Sequence, residues 1–430
     1  MKELNSPDVV HFSGNAEEPV QPTNLREEWL QDFDIVCLAN CEYMVVRSVA
    51  EHTMIRLAQK NRVMMVEPFN SWPTLLREAR MQNRKRKWRW GLRQIEDNIW
   101  AYSPPPIGIP GHTRARWVTA ANSAIFAFLL RRAIRKLHFK HPLLWSYSFN
   151  SAGVMRRLKA RLSIYDCIDN DRALARNDAH RRLVRDHDED TCRSANLVFA
   201  CSEALAEERK SYNRNLHEVY CAADIDFFGQ ALNPILPVPE DLQALPGPII
   251  GYVGGIETLK IDVDLVRYIA MAKPGWSVVL VGFVWFGFEM DQWSDLPNVH
   301  ILGAKPYEQL PAYMRHMDVC IAPFLLNDIT RYGDSLKIYE YLSAGKTVVS
   351  TPIPSALRMS PPTHIAQTPA AFVQEIESAM KKHQGTEAEN RAAVERHTWD
   401  HRVAEKSRII KSVLLEQRLA AGTAAEDNLT

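Results

Sequence analysis

Thr330-Arg-Tyr-Gly-Asp-Ser-Leu-Lys-Ile-Tyr-Glu-Tyr-Leu-Ser-Ala-Gly-Lys-Thr-Val-Val-Ser-Thr-Pro352 is the stretch on which the fold of this chain turns. Gly333, Asp334 and Ser335 read as a turn, Leu336–Ser343 as a helix, and Gly345 as its stop. Thr347–Thr351 is a short β-branched run of the kind that forms a buried parallel strand. Helix, glycine and strand in this order make the returning half of a β-α-β unit.

The same grammar extends upstream. Pro248-Ile-Ile-Gly-Tyr-Val-Gly-Gly255 reads as a strand entering a glycine turn, followed by a helix over Val263–Met271 and strands at Trp276–Gly282, Val299–Gly303 and Val319–Pro323. An earlier series starts at Asp34-Ile-Val-Cys-Leu-Ala39, passes through a helical stretch over 46–61, and returns as Arg62–Glu67, stopped by Pro68. Further strands are expected at Ile99–Tyr102, Leu143–Ser146, Leu162–Cys167, Leu197–Ala200 and Glu218–Cys221, with helices at Asp186–Ser194 and Ser202–Ser211 among those between them. Alternation of this kind implies parallel sheets covered on both faces. A proline-rich linker, 234–248, separates the two series. The expected division is a flexible tail over 1–33, a first Rossmann-like domain over 34–233, a second over 249–395, a helix over 396–417 and a tail over 418–430.

Composition narrows the class. The 430 residues are 46% hydrophobic and 24% charged, with a formal net charge of +1. These values suit a globular chain and exclude a general polyanion binder. The seven cysteines are scattered and contain no C-x-x-C pair, which argues against a disulfide framework and a structural zinc site. A reducing cytosol is the expected compartment. The polar first thirty residues, with Pro7, Pro19 and Pro22, lack the apolar core of a secretion signal.

The chemistry concentrates in 333–345. Asp334 or Ser335 can cap the helix, and the free N–H groups of a helix start, with its dipole, favour a phosphate. Lys337 can add a point charge for a diphosphate, and Glu340 can accept two hydrogen bonds from ribose hydroxyls. An ordinary capped helix with a solvated Lys and Glu uses the same residues.

At this point the stretch resembles the donor-binding segment of retaining GT-B glycosyltransferases of the bacterial polysaccharide type, the glycosyl transferases group 1 or family 4-like proteins. Gly251-Tyr-Val-Gly-Gly255 resembles their phosphate-side glycine loop, Asn298–Pro311 their base-side loop and Asp318–Phe324 the strand after it. Tyr165–Asn170 and Ala200–Leu205 also match, as does His397-Thr-Trp-Asp400, where such proteins return a helix to the first domain. The resemblance covers 34–415. It implies two Rossmann-like domains facing across a cleft, a nucleotide-diphosphate sugar as donor, and retention at the anomeric carbon. It places Glu340 at the donor ribose and Ser335, Leu336 and Lys337 at the diphosphate. Gly254 and Gly255 would let the backbone approach the phosphates, with Asp334 and Lys305 in the donor set and Lys260 and Glu257 the candidate catalytic pair. Two positions depart from the pattern. Tyr332 stands where many relatives carry the first of two glutamates, and Gly255 where many carry an arginine.

Other candidates are weaker. Asp169/Asp171, Asp224/Asp226 and Asp262/Asp264 have D-x-D spacing, yet capping is their commoner use, so no metal is expected. His52 and His141 are possible bases, although a lone histidine is more often a surface or satisfied core residue. Trp285 and Phe286 either pack or cover the donor. Residues 77–140 hold fifteen Lys/Arg against three Asp/Glu. Arg84, Lys85, Arg86 and Lys87 adjoin Trp88 and Trp90, and Trp117–Leu130 is uncharged. Fourteen residues cannot span a bilayer, but such a segment can lie on an anionic surface. Its Trp117, Phe126 and Phe128 are the expected inserting groups. The other use is a helix packed on the sheet beside a solvated basic loop. No nucleic-acid motif accompanies the charge.

The expected protein is a cytoplasmic glycosyltransferase, peripheral on the inner membrane face. It takes a nucleotide sugar, serves a glycan or lipid-linked acceptor and needs no further cofactor. A dehydrogenase is disfavoured because no G-x-G-x-x-G opens either half. Tyr332 and Gly255 keep open a non-catalytic GT-B scaffold in a polysaccharide assembly complex.

Overall fold

The computed structural model describes residues 25–41, 47–76, 90–111, 115–175, 177–285, 287–289, 291–382 and 387–427. The first sheet is built from β1 (Asp34–Leu38), β2 (Arg62–Val66), β3 (Gly91–Glu96), β4 (Ile99–Ser103), β5 (Leu143–Ser146), β6 (Leu162–Cys167), β7 (Leu197–Ala200) and β8 (Leu216–Glu218). Its order is β3-β4-β2-β1-β5-β6-β7-β8, parallel except for β3 against β4. The second sheet contains β9 (Ile249–Val253), β10 (Ser277–Val281), β11 (Val299–Gly303), β12 (Val319–Ala322), β13 (Val348–Ser350) and β14 (His364–Ile365). Its order is β11-β10-β9-β12-β13-β14, with every pair parallel. Strands such as β1, β5 and β9 are apolar and buried along nearly their whole length, as strands covered on both faces must be. Strand order reverses beside β1, where β2 and β5 flank it, and beside β9, where β10 and β12 flank it. In open α/β sheets these switch points leave a crevice at the carboxyl ends of the strands, the place where ligands settle.

The ends of the chain meet on the first domain. The helix Trp399–Asp427 contributes Val403, Ala404, Ile410, Val413 and Leu414 to the same core as β1, β2 and β5. Within that core Asp166 accepts hydrogen bonds from Trp145 Nε1 at 3.0 Å and Lys406 Nζ at 2.5 Å, both partners buried. Trp29 and Leu30 are fully buried, and the Leu30 amide donates to Ser407 Oγ at 3.1 Å. The expected tail over 1–33 is therefore corrected for 25–33, which apolar burial anchors; 1–24 lie outside the described residues. At the other end the helix runs on to Asp427, past the expected limit at 417.

Other departures have local causes. β3 lies on the exposed edge, joined to β4 by a turn in which Asn98 adopts φ 63°, and its half-exposed residues carry no buried-strand signature. β8 spans Leu216–Glu218 rather than Glu218–Cys221. Trp117–Leu130 belongs to one helix, Arg116–Lys136, that buries Val118, Ala127, Leu130 and Ala133. Phe126 stacks on Phe69 with centroids 5.0 Å apart, so it is no inserting group, whereas Trp117 and Phe128 are exposed. Among the described residues no helix is long and apolar enough to cross a membrane.

Removing one partner from the Asp166–Lys406 pair leaves a buried charge uncompensated. Lys406→Met should lower unfolding stability by about 3–5 kcal/mol. Asp166→Leu combined with Lys406→Met should recover most of that loss, as read from urea midpoints.

Candidate active site between the two sheets

The site begins with the helix Leu336–Ser343. Its C-terminal end is closed by Gly345 at φ +73°, where the Lys346 amide donates to Tyr341 O and the Gly345 amide to Leu342 O, both at 3.0 Å. Tyr341 ties the helix to β9, its hydroxyl accepting from Val253 N at 2.8 Å. At the other end Ser335 is the cap residue, but no side chain caps the helix, so its first N–H groups remain for a ligand. Lys337 Nζ lies 2.7 Å from Glu340 Oε2 on the next turn, and Glu340 is 8% exposed.

The glycine loop after β9 meets this helix directly. A Cβ on Gly254 would stand 2.7 Å from Tyr252 Oη and 2.8 Å from Lys337 Cε, and one on Gly255 2.8 Å from Trp285 Nε1, so the backbone here passes close against these side chains. Gly254, Gly255, Leu336, Lys337 and Glu340 thus share one corner. Glu257 Oε1 pairs with Lys260 Nζ at 2.9 Å in the following loop. Across the cleft Asp169 reaches solvent between protein walls. Desolvation raises its carboxyl above the usual value, opposed by Lys260. Asp171, desolvated and beside Asp169, is raised to about 7. A titratable pair perturbed in this way inside a cleft is a candidate for function.

Two expected donor residues, Lys305 and Asp334, serve elsewhere. Lys305 Nζ pairs with Asp241 Oδ2 at 2.6 Å, and Tyr313 holds the same carboxylate at 2.7 Å, so Lys305 is committed to the linker. Asp334 neither caps the helix nor faces open space. Its fully buried carboxylate accepts from the Cys221 amide at 2.7 Å, from Tyr339 Oη at 3.1 Å and from Arg358, which lies over the Tyr220 ring at 3.9 Å. Tyr332 faces the first domain: its hydroxyl donates to Glu208 at 2.6 Å, and Ser202 Oγ donates to its carbonyl at 2.6 Å. His52 stacks on Trp399 at 4.8 Å and burial drives its pKa to about 3, which makes it a packing group and no base. His141 sits just before β5, at the end of the strand away from the cleft. Asp224 and Asp262 cap helices, accepting from Phe227 N and Leu265 N. Trp90 and Trp117 are exposed; Arg84, Lys85, Arg86, Lys87, Trp88 and Phe286 lie outside the described residues.

The structure adds residues that the sequence reading missed. Tyr307 stacks on Phe227 at 4.3 Å, and Arg47, from the loop after β1, lies 5.5 Å from the Tyr307 ring centroid. An arginine of the first domain thus borders Tyr307 of the second. Only its place after β1, at a switch point, could have singled out Arg47. Arg358 carried no local signal.

Residues 247–382 match the family model described as Glycosyl transferases group 1. A putative teichuronic acid biosynthesis glycosyltransferase of Bacillus subtilis is 29% identical over 191 residues. That match covers 43% of this chain and 45% of the relative, less than half of either. Among solved structures, sucrose-phosphate synthase from Thermosynechococcus elongatus aligns with a TM-score of 0.65 at 15% identity, over 90% of this chain and 100% of that one. HepE from Anabaena, solved with UDP, gives 0.59 at 14% identity over 89% and 100%. The trehalose 6-phosphate synthase of Burkholderia multivorans gives 0.63 at 12% identity over 91% and 100%.

The Tyr332–Glu208 bond makes a direct prediction. Tyr332→Phe should cost about 0.5–1.5 kcal/mol, and Tyr332→Glu more, because it sets a second carboxylate against Glu208. Chemical unfolding of both variants checks the order. The segment that matches the Glycosyl transferases group 1 model is the second domain of a two-sheet α/β structure with the GT-B fold.

Proposed function

We propose that this chain is a glycosyltransferase of bacterial polysaccharide biosynthesis. It moves a sugar, with retention, from a nucleotide-diphosphate sugar to a glycan or lipid-linked acceptor. The observation that carries this reading is the single corner formed by Gly254, Gly255, the uncapped helix start at Ser335, Lys337 and Glu340. Backbone N–H groups at Leu336 and Lys337 receive the diphosphate, and Lys337 exchanges Glu340 for a phosphate oxygen. Glu340, freed, accepts from the ribose hydroxyls. Arg47 and Lys260 supply positive charge that Gly255 cannot. Negative charge developing on the leaving diphosphate is stabilised by these fixed donors, and the diphosphate takes the proton of the incoming hydroxyl. No protein nucleophile is required. The teichuronic acid relative supports the polysaccharide setting, and the UDP held by HepE supports a nucleotide donor.

Glu340→Ala should weaken UDP binding by about 1–3 kcal/mol through lost charge-assisted hydrogen bonds. Calorimetric titration of the folded variant tests this, and an unchanged affinity removes Glu340 from the donor site.

A specific surface favours peripheral attachment to the inner membrane face as well. Trp72 is 48% exposed, Trp90 40% and Trp117 69%, and the Trp72 and Trp90 rings meet edge to face at 5.9 Å. Arg84, Lys85, Arg86 and Lys87 lie in sequence between Trp72 and Trp90. Basic groups near an anionic surface contribute about 1 kcal/mol each, screened by salt, while inserted tryptophan adds a salt-resistant part. Co-sedimentation with phosphatidylglycerol vesicles should fall with salt and fall further for Trp72→Ala/Trp117→Ala. Failure to co-sediment with phosphatidylglycerol vesicles even at low salt would refute the attachment.

A further inference from the structure

At the carboxyl ends of β1, β2 and β5 lies a cavity of about 230 Å³, lined by Leu38, Val66, Tyr147, the helix Arg116–Lys136 and Asp171. It sits at the switch point of the first sheet, opposite the corner assigned to the nucleotide. Its volume is below the roughly 300–1,000 Å³ typical of drug-sized ligands, and suits a single ring. The stacked Phe69 and Phe126 give it aromatic surface. None of its described lining residues is Lys, Arg or His; the charged ones are Glu67 and Asp171.

Those two carboxylates differ in availability. Glu67 is held by Arg93 at 2.7 Å and Ser103 at 2.6 Å. Among the described residues nothing hydrogen-bonds the Asp171 carboxylate, the Asn70 side chain or the amide nitrogen of Asn150, whose oxygen accepts from Ser148 Oγ at 2.9 Å. Unpaired acceptors and amides beside aromatic rings match the two surfaces of a sugar, hydroxyls at the rim and C–H groups on the faces. Among the described lining residues a carboxylate or phosphate on that ring would meet no cation, and it would be set against Asp171. Asp169 links this cavity to the nucleotide corner, since its field reaches Asp171 on one side and it feels Lys260 and Glu257 on the other.

We propose that this cavity holds the terminal sugar ring of the acceptor, that the ring is uncharged, and that Asp171 turns anionic rings away. The proposal rests on the glycosyltransferase reading and adds the acceptor's chemical class. The test uses the full chain and a pair of probes that differ only at C6, methyl β-glucoside and methyl β-glucuronide. Binding is followed by saturation-transfer NMR, with a UDP titration on the same samples and unfolding midpoints to confirm that variants fold. At about pH 8.5, where Asp171 with its pKa of about 7 is ionised, the glucoside should bind and the glucuronide at least about tenfold more weakly, as expected for like charges in a partly desolvated site. Asp171→Asn should abolish that difference, and Phe126→Ala should weaken the glucoside. Equal binding of the two glycosides to the wild type, or discrimination that survives Asp171→Asn, overturns the proposal. If UDP binds and neither glycoside does, the cavity assignment fails while the donor reading stands. Discrimination between glycosides without UDP binding would leave the cavity and remove the donor site.

Discussion

One buried carboxylate organises this molecule. Asp334 lies just before the helix Leu336–Ser343 that opens the corner proposed for the nucleotide, and its oxygens accept from Tyr339 on that helix, from Arg358 on the next one and from the Cys221 amide of the first domain. A carboxylate taken fully out of water is tolerated only when charge and hydrogen bonds replace its hydration. Here they come from both halves of the chain. Where the helix start points and how the two domains face each other are therefore consequences of the same set of bonds. Tyr332 and Glu208 reinforce that junction one turn earlier.

The two sides of the cleft are chemically unlike. The second domain contributes a helix start, two lysines and Glu340, groups suited to phosphates and a ribose. The first contributes Asp169, Asp171 and neutral amides around aromatic rings, with Arg47 as a basic side chain that reaches across. Desolvation acts on both, yet it strengthens attraction for an anion on one wall and raises two carboxyls on the other. On the proposed transferase reading, such asymmetry keeps the two substrates from competing for one wall.

Much of this was legible in residues. Leu336–Ser343 and the glycine after it follow from period and stop signal, and the buried strands follow from short apolar runs. Residues close in sequence, such as Lys337 and Glu340, share a helix face and could be paired by spacing alone. What escaped were relations that only the third dimension creates. Asp334 reads equally well as a cap or as a core anion until Arg358 and Cys221 arrive beside it. Lys305 looks like a phosphate ligand until Asp241, sixty-four positions away, takes it. His52 is a plausible base in one dimension and a stacked, neutral ring in three. Trp29 and Leu30 sit in a polar, proline-bearing segment, and nothing local announces that the far end of the chain will bury them.

The return of the helix Trp399–Asp427 to the first domain has a bearing on how the protein comes into being. A ribosome delivers the chain from its amino end, and domains tend to fold as units as they emerge. Here the core that contains β1, β2 and β5 also contains Val403, Ile410 and Leu414. Until residue 414 has been synthesised, that face of the first sheet has only part of its cover, from Trp29, Leu30 and the helix Val49–Leu57, and Asp166 has no ammonium to meet. The second domain, whose helices Pro369–Lys382 and Glu387–Val394 complete its core, can close on itself earlier, once residue 394 has been made. Order of synthesis and order of completion are thereby reversed: the half made first is the half finished last.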